Sequence, residues 1–87
     1  MSKFMITITS QAKMVLRKVK VNERLLFKTA LADIAMDPTE DRSEITFLST
    51  RGKHDAYRYR TTVGMVMYLV ENMKKEVIVI DVQPFRR

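Results

Sequence analysis

Eighty-seven residues suffice for one domain with one modest core, and the absence of cysteine excludes a disulfide framework and thiolate metal sites. Apolar residues at 46% and charged residues at 30% exclude a disordered chain, and two glycines with two prolines leave no low-complexity linker. A net charge of +6 either serves solubility or favours a polyanion, most simply nucleic acid or the ribosome.

The first segment, residues 4–9, alternates Phe4, Ile6 and Ile8 with polar neighbours, the period of a strand. Ser10 then suits a helix N-cap, because its hydroxyl accepts a bond from a first-turn amide. No glycine or proline interrupts the chain from there to Pro38. Ala12, Val15, Leu16 and Val19 fall at helical spacing, as do Phe27, Ala30, Leu31 and Ile34. A single helix over residues 11–36 would be about 39 Å long, too long for a domain whose radius of gyration is near 12 Å. Val19-Lys20-Val21-Asn22 offers two β-branched residues and then an N-cap residue, with Glu23 in the following first turn. The expectation is a helical hairpin bent there, with one long helix as the alternative.

Proline disfavours helical geometry in the residue before it, so Asp37-Pro38 ends the helical region. Strand patterns follow at residues 44–50, 56–62, 65–70 and 76–82. Turns are expected at 51–53, around Gly52, and at the polar stretch 71–75. Residues 65–70 are nearly all apolar, as a central strand covered on both faces would be. The order predicts one α+β domain over residues 1–87: an N-terminal strand, a helical hairpin, then a three- to four-stranded antiparallel meander with the helices on one sheet face.

Charge is shared evenly, with eight Lys/Arg and five Asp/Glu on each side of residue 43, but the spacing is not even. Between Arg51 and Arg60 four cations and His54 face one acid, Asp55, while Asp37, Glu40, Asp41 and Glu44 form an acidic stretch. Arg58 and Arg60, two apart on a strand, project from one face, opposite Tyr57 and Tyr59. Tyr57, Tyr59 and Tyr68 are expected to pack in the core or an interface rather than stack on bases. The seven methionines are expected to fill irregular core space, some of them forming a partner-binding surface. Apolar runs are far shorter than the roughly 20 residues of a membrane span, and the N-terminus lacks the continuous apolar stretch of a signal peptide. These features point to a cytoplasmic protein without membrane contact.

Three places resemble the RelE/ParE toxin superfamily. The opening strand runs into Ser10-Gln11-Ala12; Leu31-Ala32-Asp33-Ile34-Ala35-Met36-Asp37-Pro38 is similar to the family's helix end; and from Gly52 to Val82 a glycine turn leads to Tyr57-Arg58-Tyr59-Arg60, an apolar strand with Tyr68, a polar turn and a Val-Ile-Val strand. The resemblance implies the toxin of a type II toxin–antitoxin pair, a ribosome-dependent, metal-independent mRNA endonuclease of the RelE kind that needs no cofactor. Arg58, Arg60, Arg86 and Arg87 would then be catalytic, and Arg51, Lys53 and His54 would contact RNA. The implied partners are an acidic, amphipathic antitoxin, the ribosome and mRNA. Two departures favour the alternative, a ParE-like module that inhibits DNA gyrase or a non-catalytic protein-binding domain. Val63-Gly64-Met65-Val66 lacks the arginine common in the family, and Gln83-Pro84-Phe85-Arg86-Arg87 lacks the family's terminal glycine and tyrosine.

Overall fold

The computed structural model describes residues 3–85, so Met1, Ser2, Arg86 and Arg87 lie outside the described residues. Strand β1 (Met5–Ile8) leads into helices α1 (Ser10–Lys18) and α2 (Val21–Met36), followed by strands β2 (Ile45–Arg51), β3 (His54–Arg60), β4 (Gly64–Glu71) and β5 (Glu76–Pro84). The five strands form one sheet in the order β1-β5-β4-β3-β2. The last four make the expected antiparallel meander, and β1 adds to β5 in parallel, Ile6 opposite Val77. The parallel pairing requires the chain to cross over the sheet, and the two helices are that crossover.

Two capping expectations are corrected. Thr9, not Ser10, caps α1: its backbone is extended and its Oγ1 accepts from the Ala12 amide at 3.3 Å, while Ser10 is already helical. At the bend the cap position is Lys20, not Asn22, and no side chain caps α2. The break itself is where the β-branched pair placed it, with Val19 and Lys20 both extended. A side chain from the second helix closes the first. The Arg24 guanidinium donates to the carbonyls of Leu16 and Arg17 at 2.9 Å and of Val19 at 3.3 Å, satisfying carbonyls that the end of α1 leaves open.

Both helices cover one face of the sheet. Ala12, Phe27, Ala30, Leu31 and Ile34 pack on Tyr59, Val66, Tyr68, Val70, Val77, Val79 and Val82. Tyr68 is fully buried and donates to the Pro38 carbonyl at 2.7 Å, tying the loop after α2 to the central strand. Gly64 is also required by this face, since a Cβ there would lie 2.5 Å from the Gln83 carbonyl oxygen and 2.8 Å from the Phe27 ring. At the β2–β3 turn Gly52 takes a φ of +61°, and the Thr61 Oγ1 accepts from the Val63 and Gly64 amides to shape the β3–β4 turn.

Two further expectations differ from the structure. Strand β4 is central but covered on one face only: Val66, Tyr68 and Val70 are buried under the helices, while Met65, Met67 and Leu69 are half-buried on the other. The methionines are not core. Among the described residues none is buried; Met5, Met14, Met36 and Met73 are exposed. The valines and tyrosines of β3–β5 already fill the space under two short helices, leaving no irregular gap for a flexible thioether.

Candidate functional site: the uncovered sheet face

Residues directly opposite each other in paired strands share a face, so the register defines what the uncovered side presents. Down β3 the sequence is His54, Ala56, Arg58 and Arg60, with Arg51 of β2 opposite His54. Across the sheet, one row runs Thr46, Arg58, Met67, Asp81 and the next runs Arg60, Met65, Gln83. Arg58 and Arg60 therefore do lie on the open side, opposite Tyr57 and Tyr59. At about 3.3 Å per residue the basic line from His54 to Arg60 is about 20 Å long, the span of several nucleotides.

The cations on this line are differently placed. Arg58 is half-buried and, among the described residues, has no hydrogen bond or ion pair. Arg60 is exposed, with its guanidinium over the Phe85 ring at 5.4 Å from the centroid. Arg51 and Lys53 are exposed at the hairpin tip, and His54 beside them is half-buried. His54 is four residues from Arg58, about 13 Å along the strand, so it belongs to the far end of the line. Arg86 and Arg87, expected from the resemblance to be catalytic, lie outside the described residues.

One acidic group on this face escaped the sequence reading. Asp81 shares a row with Arg58 two strands away, about 10 Å at the backbone, and its carboxylate accepts from the Gln83 side-chain amide at 2.9 Å. A bulge explains the miss: Met67 pairs with Asp81 but Tyr68 pairs with Val79, so strict alternation from Val79 would have turned Asp81 toward the helices. Between the basic line and β5 the face is apolar at Met65, Met67 and Leu69 and ends at the buried Glu71, opposite Glu76 of β5. A cleft of about 150 Å³ is lined by Leu48, Arg51, Ala56, Met67, Leu69 and Ile80.

The three tyrosines are structural, as expected. Tyr59 donates to Asp33 of α2 and accepts from Arg42, and burial together with Asp33 pushes its hydroxyl up to about 12. Tyr57 lies between Phe47 (5.5 Å, edge-on) and Tyr68 (5.8 Å, stacked), and burial raises both hydroxyls above the usual phenol range. The acidic stretch also has an internal role. Arg42 bridges Asp33 at 2.8 Å, Glu44 at 3.1 Å and Glu40 at 3.3 Å. The Tyr59 hydroxyl and then Arg42 hold the Asp33 carboxyl below its ordinary range, and a backbone hydrogen bond and then Arg42 do the same for Glu44. Among the described residues no group of three or more His, Asp or Glu is placed to hold a metal ion, and no helix is long and apolar enough to cross a membrane.

No protein-family model and no curated protein matches the sequence. Solved structures do match in fold. RelE of the archaeal RelE–RelB complex from Pyrococcus horikoshii superposes with a TM-score of 0.82 at 19% identity, covering 95% of this chain and 96% of that one. The chain has the RelE fold. The RelBE2 toxin–antitoxin complex of Mycobacterium tuberculosis matches with a TM-score of 0.78 at 15% identity, over 97% of this chain and all of the other. The isolated E. coli RelE toxin matches at 0.72 and 20%, over 97% of this chain and 86% of that one. The RelE-like architecture is thus shared along nearly the whole chain, while few side chains are.

Proposed function

We propose that the chain, acting as one domain, is the cytoplasmic toxin of a type II toxin–antitoxin pair and cleaves mRNA on the ribosome with its uncovered sheet face. The observation that carries this reading is the position of Arg58 and Arg60 on the open side of β3, with no carboxylate partner among the described residues, on a RelE fold. Cleavage of RNA by its own 2′-hydroxyl needs a proton acceptor, cations for the phosphorane and a proton donor to the leaving 5′-oxygen. Arg58 and Arg60 neutralise the charge that develops on the phosphate oxygens, assisted by Arg86 or Arg87. The row spacing of about 10 Å lets a phosphodiester sit between the reach of Arg58 and the carboxylate of Asp81, which takes the 2′ proton as the 2′-oxygen bonds to phosphorus, while water protonates the 5′-oxygen as its bond to phosphorus breaks. Arg51, Lys53 and His54 hold the RNA strand farther along the line. An acidic, amphipathic antitoxin is the partner in this reading, consistent with the complexes in which similar folds were solved.

A second reading has its own observation. The centre of the open face is apolar, with Met65, Met67 and Leu69 on β4, and such a surface suits a protein target such as DNA gyrase. Induction of the chain in bacteria, followed by ribosome profiling, separates the two. Growth arrest with codon-positioned mRNA cuts is the expected result. Arrest with DNA breaks and intact mRNA would favour gyrase, and full viability at high soluble expression would remove both.

A further inference from the structure

The cleft on the open face lies where the sheet is bulged twice. In β2 the register shifts between Phe47 and Ser49 and leaves Leu48 unpaired. In β5 Ile80 is left unpaired, because Met67 pairs with Asp81 and Tyr68 with Val79. The two bulges flank the same row of the sheet, Phe47, Tyr57, Tyr68 and Val79, from opposite sides. A bulge re-aims a side chain, and both extra residues line the cleft while staying exposed to solvent. Between them Ala56 makes the floor. It is the smallest residue of its row, with Ser49 on one side and Leu69 on the other, and it is buried although it belongs to the open side.

Size and chemistry select the occupant. A dry apolar cavity of about 150 Å³ holds one six-membered aromatic ring. The walls of Leu48, Met67, Leu69 and Ile80 offer nothing to the hydrogen-bonding edge of such a ring, so that edge turns to the rim. There stand the Ser49 hydroxyl and the Arg51 guanidinium, whose side chains make no hydrogen bond or ion pair among the described residues. Arginine only donates, so the edge that meets it must carry acceptors. Arg58 lies two residues along β3 from Ala56, about 7 Å on the same side, where it meets an anion attached to the ring. An aliphatic side chain would satisfy the walls and leave both cations idle. We propose that the cleft is a pyrimidine subsite for the RNA strand, and that it selects uracil, with carbonyl acceptors at its edge, over cytosine, whose N4 amine would point a donor at Arg51. The subsite rests on the RNA reading above and adds a base preference beside cations that read only the phosphate chain.

The test is binding, read by fluorescence anisotropy with labelled hexanucleotides of uridine, cytidine and adenosine. The uridine hexamer should bind the wild-type chain at least about fivefold tighter than the cytidine hexamer, the low end of what one set of base-edge contacts discriminates. The adenosine hexamer, with a two-ring base, should bind weakest. Ala56→Leu fills the cleft and should bring the three hexamers to one affinity, with the salt dependence unchanged because no charge is removed. Arg51→Glu, at the exposed hairpin tip, should invert the order of uridine and cytidine, since a carboxylate accepts from the cytosine amine. Its effect is read as a ratio, so the general loss of affinity from the charge change cancels, and at an exposed turn it leaves the circular dichroism spectrum unaltered. Salt-dependent binding with no base preference, or a preference that survives both substitutions, would overturn the subsite and leave the RNA reading standing. Failure of every hexamer to bind at low salt would overturn both.

Discussion

Arg42 makes one guanidinium serve three carboxylates and a phenol, and the Tyr59–Asp33 hydrogen bond carries the same network from the loop to α2 and β3. Because Asp33 and Glu44 have folded pKa values below their unfolded ones, their contribution is present above the ordinary carboxylate range and is lost as pH falls through the lowered values. Tyr59 acts at the other end. Its folded pKa is raised from 10 to about 12, so stability declines as pH rises across that interval, where only the unfolded chain releases the proton. Chemical denaturation at pH 7 and pH 3 should therefore show a smaller acid loss in Asp33→Asn than in the wild type. An identical acid slope would mean that the network makes no net contribution. At the open face, Arg58→Ala should lower cleavage by about a hundredfold or more, near 3 kcal/mol of transition-state stabilisation, with an unaltered melting temperature. Asp81→Asn should lower the cleavage rate while RNA affinity holds; an unchanged rate would leave Asp81 only as the acceptor for Gln83.

At the scale of elements, the most exacting contact is that of Gly64 with β5 and Phe27. Gly64→Ala should destabilise the fold by about 1–3 kcal/mol, the usual cost of overpacking, and equilibrium unfolding in urea would show it as a lower midpoint at constant slope. The bend between the helices depends on Arg24, and Arg24→Ala should cost on the order of 1–2 kcal/mol. Lysine would not restore it, because three carbonyls need the guanidinium fork. Much of this architecture was legible in sequence. Alternation set β1 and β3, the β-branched Val19 and Val21 set the bend, and Asp37-Pro38 set the helix end, since each is a local steric or periodic property. What escaped depends on tertiary contacts. Arg24 as a cap, Arg42 as the centre of the acidic stretch and the parallel docking of β1 on β5 join residues whose partners no local pattern reveals. The candidate site divides in the same way: alternation alone placed Arg58 and Arg60 together, whereas the β5 bulge hid Asp81. The methionine expectation failed because composition reports how many flexible side chains exist, not whether the core has gaps for them.

At the scale of the whole molecule, the decisive property is whether the basic line on β3 or the apolar centre of the same face meets the target. The two make opposite demands on salt. For single-stranded nucleic acid each neutralised phosphate adds about −0.7 to the slope of log affinity against log salt. Four contacts, from Arg51, Lys53, Arg58 and Arg60, give a slope near −2.8, or about a fiftyfold loss of affinity between 50 and 200 mM salt. Engagement of Arg86 and Arg87 as well would steepen it to about −4. Removing Arg58 and Arg60 together should weaken binding at low salt and bring the slope back by about 1.4, whereas Met67→Ala should leave the slope unchanged because it removes no charge. A protein target held by Met65, Met67, Leu69 and Ile80 would bind nearly independently of salt and would respond in the reverse way, losing affinity with Met67→Ala and little with the arginine pair. Titration of a labelled single-stranded RNA at four salt concentrations, with the wild type and these variants, measures the slope directly. A shallow slope that the arginine substitutions do not alter would remove RNA from this face and with it the ribonuclease reading.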